Sequence, residues 1–336
     1  MAVSMRDVAA RAGVSPRTVS NVVSGYVHVR AETRERVQRA IDELRYRPNM
    51  SARSLRLGRT GIIALAVPEI AAPYFAELAD LIQREAVARG LTLLIDQTGA
   101  GRDRELLVLD GYRSNLIDGF ILSPMALTAE DLSAQPLDIP AVLLGERVAD
   151  SGLTHVGVDN VAAARLAVEH LLAGGRRRIA AVGADLRTNN MGPAVRRMHG
   201  YRLAVAAAGL PAAPELEVTT GGWARASGYA AIDALLSAGT EVDALFCFND
   251  VLALAAIRAI TDHGLRVPED IAVVGWDDTE EASYSVPSLT SISPDKAEIA
   301  RAAVDRLLAR IDGEPVAGSG TTCGFRLAVR ESSTAG

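Results

Sequence analysis

Apolar side chains recur at helical spacing near the start of the chain, with polar side chains on the opposite faces. Over residues 5–12 the apolar positions follow i, i+3, i+4 and i+7, which predicts an amphipathic helix. Ser4 and Asp7 match a capping box for its first turn, and Gly13 is expected to end it. Ser15 and Pro16 then provide a cap and a first helical residue for a second helix.

The second predicted helix has a polar face that suits nucleic acid. Its polar positions are Arg17, Thr18, Ser20, Asn21 and Ser24. Such side chains can donate hydrogen bonds to phosphates or base edges, as a helix in a major groove requires. A third helical stretch covers 33–44. Together they predict a helix-turn-helix unit, although an ordinary pair of small amphipathic helices would give a similar pattern.

From residue 60 onward, short apolar runs alternate with amphipathic stretches, which is typical of right-handed βαβ units. The first half has predicted strands at 61–67, 91–96, 118–122 and 140–144, all expected to be buried on both faces, and helices at 73–89 and 102–116. The second half has strands at 178–182, 244–248 and 271–275, and helices at 161–173, 195–208, 224–238 and 251–263.

The end of the chain is expected to return to the first half. Segment 289–294 is expected to cross back, before a helix at 295–311 and a last strand at 324–329. Two similar α/β halves imply a cleft between them, because ligands bind beyond the carboxyl ends of the strands in open parallel sheets.

Charge divides the chain into a basic head and an acidic body. The net charge is −6, but residues 1–60 hold twelve arginines against five acidic residues, a charge of +7, and the remainder carries −13. A basic segment attached to an acidic domain is typical of a DNA-binding module joined to a regulatory domain.

Composition narrows the class of protein further. With 336 residues the chain has room for two or three domains, and 49% hydrophobic with only 4% aromatic residues suits an α/β protein. Cys247 and Cys323 are too few for a disulfide framework or a cysteine-based zinc site. No apolar run has membrane-spanning length, and the first residues lack a secretory signal, so we expect a cytoplasmic protein.

Short motifs in a fixed order give a specific resemblance. In the head they are 7–9 (DVA), 12–15 (AGVS), 18–20 (TVS), 33–37 (TRERV), 46–49 (YRPN) and 52–55 (ARSL). In the body they include 174–180 (GGRRRIA), 248–250 (FND), 267–270 (VPED), 274–278 (VGWDD) and 329–332 (VRES). On these residues the chain resembles the lac/galactose repressor family over its full length.

The resemblance implies an N-terminal all-α helix-turn-helix headpiece with a hinge helix, followed by an α/β periplasmic-binding-protein-like core of two parallel-sheet subdomains. The headpiece would cover 1–48, the hinge helix and linker 49–59, and the effector-binding and dimerisation core 60–336. Within the core, the N-subdomain would comprise about 60–160 and 292–322, and the C-subdomain about 161–291 and 323–331.

The resemblance also implies which residues contact DNA. The family reads base edges from positions that here hold Pro16, Arg17 and Asn21, whereas Thr18, Ser20 and His28 are assigned to phosphates. The hinge residues that match are Asn49, Ala52, Arg53 and Leu55. Leu55 of each subunit would wedge into the central base step and kink the DNA; ordinary packing is the alternative.

The resemblance also implies an effector pocket, lined by six residues that match family positions. They are Tyr74, Phe75, Arg197, Trp223, Asn249 and Asp277. The last two end predicted strands, and a carboxylate there can accept hydrogen bonds from two neighbouring hydroxyls of a sugar or nucleoside. The alternatives are core packing for the aromatic pair at 74–75 and a helix cap for Asn249.

The chain departs from the family pattern at three places near this pocket. Pro294 and Lys296 fall where some sugar-binding members have other side chains. Gly145 stands where many members have an aspartate. Segment 185–193 also differs, which leaves Arg187 and Asn190 as candidate contacts only.

The sequence therefore predicts a homodimeric, DNA-binding transcriptional regulator, a repressor of carbohydrate genes controlled by a sugar or sugar derivative. A purine effector is the alternative, and a transport solute-binding protein is a further one, disfavoured by the basic head. A nucleotide-using enzyme is disfavoured because the chain has no Walker A, G-x-S-x-G or paired-histidine metal motif. No cofactor, resident metal or membrane partner is expected.

Overall fold

The computed structural model describes residues 3–23, 26, 28–46, 59–110, 116–133, 137, 139–145, 153–184, 192–314 and 320–334. The chain divides into two compact units, Met1–Thr60 and Gly61–Gly336. The division falls where the pattern of short helices gives way to alternating strands and helices.

Three helices make up the described part of the N-terminal unit: α1 (Met5–Ala12), α2 (Pro16–Val23) and α3 (Ala31–Leu44). The predicted capping box of α1 is confirmed. The Ser4 N–H donates to the Asp7 carboxylate at 2.8 Å, and the Asp7 N–H donates to the Ser4 hydroxyl at 3.4 Å. These reciprocal bonds satisfy amide groups that a helix start otherwise leaves without partners.

The three helices share one small core. Val8, Val19 and Val37, one from each helix, are completely buried. The third helix begins at Ala31, two residues earlier than predicted, and Arg30 gives its first turn no side-chain cap. Without a capping side chain, the sequence gives no local signal for the exact first residue of this helix.

Twelve strands form the sheets of the described core. In chain order they are β1 (Ile62–Val67), β2 (Thr92–Gln97), β3 (Gly119–Leu122), β4 (Ala141–Leu144), β5 (His155–Val158), β6 (Ile179–Ala184), β7 (Glu217–Thr219), β8 (Ala244–Cys247), β9 (Ala272–Trp276), β10 (Thr290–Pro294), β11 (Gly320–Cys323) and β12 (Phe325–Ala328). The first sheet has the order β11-β5-β4-β3-β1-β2 and is parallel throughout. The second has the order β12-β10-β9-β8-β6-β7 and is parallel except for β12.

Helices cover both sheets. They are α4 (Pro73–Ala88), α5 (Arg102–Leu109), α6 (Ala129–Ser133), α7 (Asn160–Ala173), α8 (Pro193–Ala207), α9 (Arg225–Ser237), α10 (Asp250–Asp262), α11 (Glu280–Tyr284) and α12 (Lys296–Ile311). We call the first sheet with α4–α6 and α12 the first lobe, and the second sheet with α7–α11 the second lobe. Two parallel-sheet lobes are what the sequence pattern predicts, and this fold class is confirmed.

The chain passes between the lobes three times. It leaves β5 for α7 through Asp159, leaves β10 for α12 through Asp295, and joins β11 to β12 through Gly324. Both aspartates cap the helices that follow them: the Asp159 side chain accepts from the Ala162 N–H, and that of Asp295 accepts from the Glu298 N–H. Two of the three crossings therefore lead directly into capped helix starts.

Three predictions about the core are wrong. Segment 289–294 does not cross back to the first half, since β10 lies between β9 and β12 in the second sheet and the crossing comes after it. Strand β2 is not buried on both faces, because it lies at the sheet edge, where Ile95 is 46% exposed. Helix α5 ends at Leu109 instead of residue 116; the following Gly111 disfavours continuation.

Candidate functional site

A cavity opens between the lobes, at the carboxyl ends of both sheets. Its deep chamber has a volume of about 130 Å³, and an adjoining outer chamber has about 420 Å³. Six residues line both chambers: Ala72, Phe75, Met125, Pro193, Trp223 and Asn249. All six residues predicted for the effector site line the deep chamber: Tyr74, Phe75, Arg197, Trp223, Asn249 and Asp277. The fold thus brings together residues that are two hundred positions apart.

The first lobe contributes an aromatic pair to the chamber. Tyr74 and Phe75 directly follow Pro73, the first residue of α4, and their rings meet edge to face with centroids 5.2 Å apart. Both are half-buried, and both also pack against the hydrophobic core. Burial, together with the nearby Asp277 carboxylate, raises the pKa of the Tyr74 hydroxyl. That hydroxyl is therefore neutral at physiological pH and can act as a hydrogen-bond donor.

Arg197 is held rigidly on α8. Its guanidinium lies 3.8 Å from the ring centre of Trp276 and 5.1 Å from that of Trp223, which is cation–π geometry. Its Nε donates to Asn160 Oδ1 at 2.9 Å, and its Nη1 donates to the carbonyl of Phe248. The side chain is only 7% exposed. A guanidinium fixed in this way presents positive charge to the chamber with little conformational freedom.

Asp277 follows β9 and is 9% exposed. Its backbone has a φ of 111°, which non-glycine residues rarely adopt. Burial raises the pKa of its carboxyl group well above the ordinary value, and the positive charge of Arg197 opposes that shift. No donor among the described residues makes a hydrogen bond to this carboxylate. Since it lines the chamber, its acceptor capacity is available to a ligand.

Asn249 both caps a helix and lines the pocket. Its Oδ1 accepts from the Leu252 N–H at 2.8 Å and so caps α10, which is the alternative that its sequence context offered. Its Nδ2 donates to the carbonyl of Trp223 at 3.4 Å. Trp223 is fixed in turn, because its indole N–H donates to the carbonyl of Gly183 at 3.1 Å. Gly183 has a φ of 112°, and a side chain there would meet Phe248 at 2.9 Å.

Several pocket residues were missed by the sequence analysis. Trp276 and Asn160 both touch Arg197, and both directly adjoin predicted strand or helix ends, which was the available signal. Met125 follows β3 and is held by Glu105, whose buried carboxylate accepts from the N–H groups of residues 125–127 at 2.8–3.0 Å. Gly145, the departure from the family pattern, lines the deep chamber with a φ of 93°. The candidates Arg187 and Asn190 lie outside the described residues.

The predicted DNA-reading residues lie on or next to α2. Pro16 and Arg17 are exposed at its start, and Thr18, Ser20 and Asn21 are half-buried along it. Ser15 caps the helix, because its hydroxyl accepts from the Thr18 N–H at 3.1 Å. His28 is exposed and packs edge to face on Tyr26 at 5.4 Å. The predicted hinge contacts lie outside the described residues: Asn49, Ala52, Arg53 and Leu55.

Two further features bear on the class of protein. Within the described ranges, no three or more His, Cys, Asp or Glu side chains are grouped so that they could hold a metal ion. None of the described helices has the length and apolar character needed to span a bilayer.

Comparison with known proteins gives matches in both parts of the chain. A family model of bacterial regulatory proteins, lacI family, matches residues 4–49. A model of the periplasmic binding protein-like domain matches residues 168–333. The chain is 37% identical to the HTH-type transcriptional regulator CelR of Thermobifida fusca over 98% of each chain. It is 34% identical to the HTH-type transcriptional repressor PurR of Erwinia tasmaniensis, over 92% of this chain and 90% of that one.

Solved structures agree with these matches. A complex of CelR with cellobiose has a TM-score of 0.72 and 34% identity, covering 98% of this chain and 99% of that one. A lac repressor dimer bound to operator and the anti-inducer ONPF has a TM-score of 0.85 and 29% identity over 100% of both chains. The similarity therefore extends from the helical head through both lobes.

Proposed function

Since the chain belongs to the lacI family of bacterial regulatory proteins, we propose that it is a dimeric transcriptional repressor whose affinity for a DNA operator is set by a sugar bound between its lobes. The observation that carries the effector part is the deep chamber, where the Asp277 carboxylate and the Arg197 guanidinium meet aromatic side chains. The genes it controls would be carbohydrate-utilisation genes. Binding, without catalysis, is the role that this site supports.

A sugar suits the chemistry of the chamber. The carboxylate accepts hydrogen bonds from hydroxyl groups, the guanidinium donates to ring or hydroxyl oxygens, and the faces of Trp223 and Tyr74 can pack on C–H surfaces. The outer chamber leaves room for a second ring beyond the first. Cellobiose, the ligand in the CelR complex, is therefore the first compound to test. A purine is the second candidate, because a flat base could stack on the same aromatic rings.

The head supplies the DNA-binding side of the proposal. Arg17 is exposed at the start of α2 and can bind a guanine through two hydrogen bonds, and Asn21 pairs best with adenine. The charge of +7 over residues 1–60 favours binding to a phosphate backbone. We propose the hinge residue Leu55 as the minor-groove wedge. A pseudo-palindromic operator follows if two copies bind together. We propose a cytoplasmic location on the same ground, since that is where operator DNA lies.

Exposed apolar residues support a homodimer. On the first lobe, Ile95 of the edge strand β2 and Leu107 of α5 are each 46% exposed. On the second lobe, Tyr284 and Val286 are 78% and 91% exposed. An uncovered strand edge with apolar side chains is a place where another chain can associate. The lac repressor neighbour is itself a dimer on its operator.

Thermal unfolding with a ligand panel tests the proposed site. Cellobiose, monosaccharides, sugar phosphates and purines would be added to the wild-type protein, to Asp277→Asn, and to Asp233→Asn. Asp233 is a matched control, since it lies in the second lobe and pairs with His263 outside the chamber. A true ligand at a hundred times its dissociation constant should stabilise wild type and Asp233→Asn by about 2.7 kcal/mol. Asp277→Asn should lose that gain.

The outcomes separate the candidates. Stabilisation by a sugar alone supports the proposal, and stabilisation by a purine alone replaces the sugar with the second candidate. Equal stabilisation of wild type and Asp277→Asn would contradict the assignment of the carboxylate. No stabilisation by any compound would contradict a sugar-controlled or purine-controlled cleft.

A further inference from the structure

The chain contains a single lysine, and it lies at a crossing between the lobes. Lys296 is the first residue of α12, directly after Asp295, and its side chain is only 13% exposed. Its ammonium group forms an ion pair with Glu77 of α4 and donates to the carbonyl oxygens of Asp277 and Asp278, both at 2.9 Å. An ammonium group has three N–H donors, so these three partners use its full capacity.

Glu77 adds a further hydrogen bond between the lobes. One carboxylate oxygen accepts from Lys296, and the other accepts from the N–H of Glu280 at 2.8 Å. Both charged residues belong to the first lobe, whereas the segment they hold, residues 277–280, belongs to the second. Three hydrogen bonds therefore attach one short loop of the second lobe to α4 and α12 of the first.

The conformation of that loop explains why it needs such support. Asp277 has a φ of 111° and Asp278 a φ of 48°, so two successive non-glycine residues have positive φ values. Their N–H groups are held from inside the second lobe, by the Ile292 carbonyl at 2.9 Å and the Ser291 hydroxyl at 3.0 Å. Lys296 holds their carbonyl oxygens from the other lobe. The direction of the Asp277 side chain depends on this backbone.

The pair is also linked to the aromatic side of the chamber. Glu77 lies three residues after Tyr74 on α4, so both residues are on the same face of that helix. The helix that places Tyr74 in the chamber is thus the helix that anchors the loop of Asp277. Movement of one lobe relative to the other would break the contact and change both walls of the site.

We propose that Lys296, together with Glu77, is a positioning residue for ligand binding: the pair clamps residues 277–280 to the first lobe and so holds the Asp277 carboxylate in the deep chamber. This inference rests on the proposed function, because it assigns Asp277 a ligand. The pair makes the geometry of the carboxylate depend on the spacing of the lobes. Ligand affinity and lobe arrangement are then linked through one half-buried ion pair.

An ordinary stabilising ion pair is the competing explanation, and paired substitutions distinguish the two. Replacing both members of a buried ion pair by apolar residues of similar size often leaves stability unchanged or improved. Lys296→Met with Glu77→Leu should therefore retain the fold, but it removes the donors to the two carbonyls and the acceptor for the Glu280 N–H. Glu77→Gln is a milder variant that keeps the size of the side chain.

Arg89→Met is a matched control. Arg89 follows α4 and pairs with Asp305 of α12 at 2.6 Å, so it joins the end of α4 to the middle of α12. Its described partners, Glu85 and Asp305, both belong to the first lobe. Losing this pair removes an ion pair between α4 and α12 without touching residues 277–280.

Amide hydrogen exchange of the full-length protein, without ligand, tests the clamp. We expect the segment 277–284 to exchange at least ten times faster in the double variant and measurably faster in Glu77→Gln, with wild-type rates in Arg89→Met. Calorimetric titration with cellobiose should then show at least a tenfold loss of affinity in the double variant at an unchanged melting temperature. Wild-type exchange in that segment, or wild-type cellobiose affinity in the double variant, would overturn the inference. If cellobiose does not bind the wild type, the sugar proposal fails for that compound, and the exchange rates still decide the clamp.

Discussion

At the scale of single residues, Asp250 shows how burial next to the cleft raises the pKa of a carboxyl group. It lies at the first turn of α10 and is 1% exposed. Its carboxylate accepts from the Ser291 hydroxyl at 2.6 Å and from the Thr279 N–H at 2.8 Å. Burial outweighs these bonds and raises its pKa to about 7. The folded protein therefore keeps a proton that the unfolded chain, with an aspartate pKa of about 3.9, releases.

This difference predicts a pH dependence of stability. The contribution of Asp250 to the free energy of unfolding is fully present below about pH 4 and is lost as the pH rises through about 7. Replacing it by asparagine removes that loss. We expect the stability of wild type relative to Asp250→Asn to fall as the pH is raised across this range, as measured by urea denaturation of both proteins.

His170 changes stability with pH in the opposite direction to Asp250. For this reason the wild type must be compared with Asp250→Asn and not considered alone. Burial lowers the pKa of His170, so its contribution increases as the pH rises toward about 6.5. Since His170 is present in both proteins, its effect cancels in the difference. Parallel curves for wild type and Asp250→Asn would contradict the raised pKa.

The identity of residues in the chamber could be predicted better than their interactions. The ends of predicted strands and the family resemblance located Asp277 and Asn249. The fixing of Arg197 by Trp276 and Asn160 could not be predicted, because these partners are brought together only by the packing of the second lobe. The positive φ of Asp277 was equally hidden, since no glycine marks that position in the sequence. Such a conformation costs on the order of 1–3 kcal/mol and persists only when its surroundings enforce it.

At the scale of elements, local periodicity predicted most helices and strands, but it did not predict which elements pack next to one another. The capping box of α1 was read correctly because all its atoms lie within four residues. Strand β2 was expected to be buried because its residues are apolar, yet its edge position is set by strand order. Strands β5, β7 and β11 were missed. Glu217–Thr219 and Gly320–Cys323 lack an apolar run, and His155–Val158 is a short run with a glycine inside it.

The edge strand gives a prediction for assembly. Ile95→Glu places a charge on the exposed side of β2, and burying an unpaired charge in an interface is costly. We expect this variant to sediment as a monomer at micromolar concentration while the wild type sediments as a dimer. Leu203→Glu, at a position of α8 that is 40% exposed, serves as the control and should remain dimeric. A dimeric Ile95→Glu would show that the interface lies elsewhere.

At the scale of the whole molecule, three chain crossings join two lobes around one cavity. A ligand that touches Tyr74 from the first lobe and Asp277 from the second must favour one spacing of the lobes over others. The ligand can shift the lobes from one state to another only if the two states bind it with different affinities. The shift then alters DNA affinity only if the two states also bind DNA differently. The effect is then reciprocal, so the operator must change ligand affinity by the same factor.

The most direct test of an effector-controlled repressor is the affinity of the full-length protein for its operator with and without its ligand. An operator selected from random DNA would be labelled, and its dissociation constant measured by fluorescence anisotropy at fixed salt concentration. We expect saturating ligand to change this constant by a factor of at least about five in wild type. Asp277→Asn should bind the operator equally well and show no change. An operator affinity that is the same with and without a ligand known to bind the wild type would contradict ligand control of DNA binding.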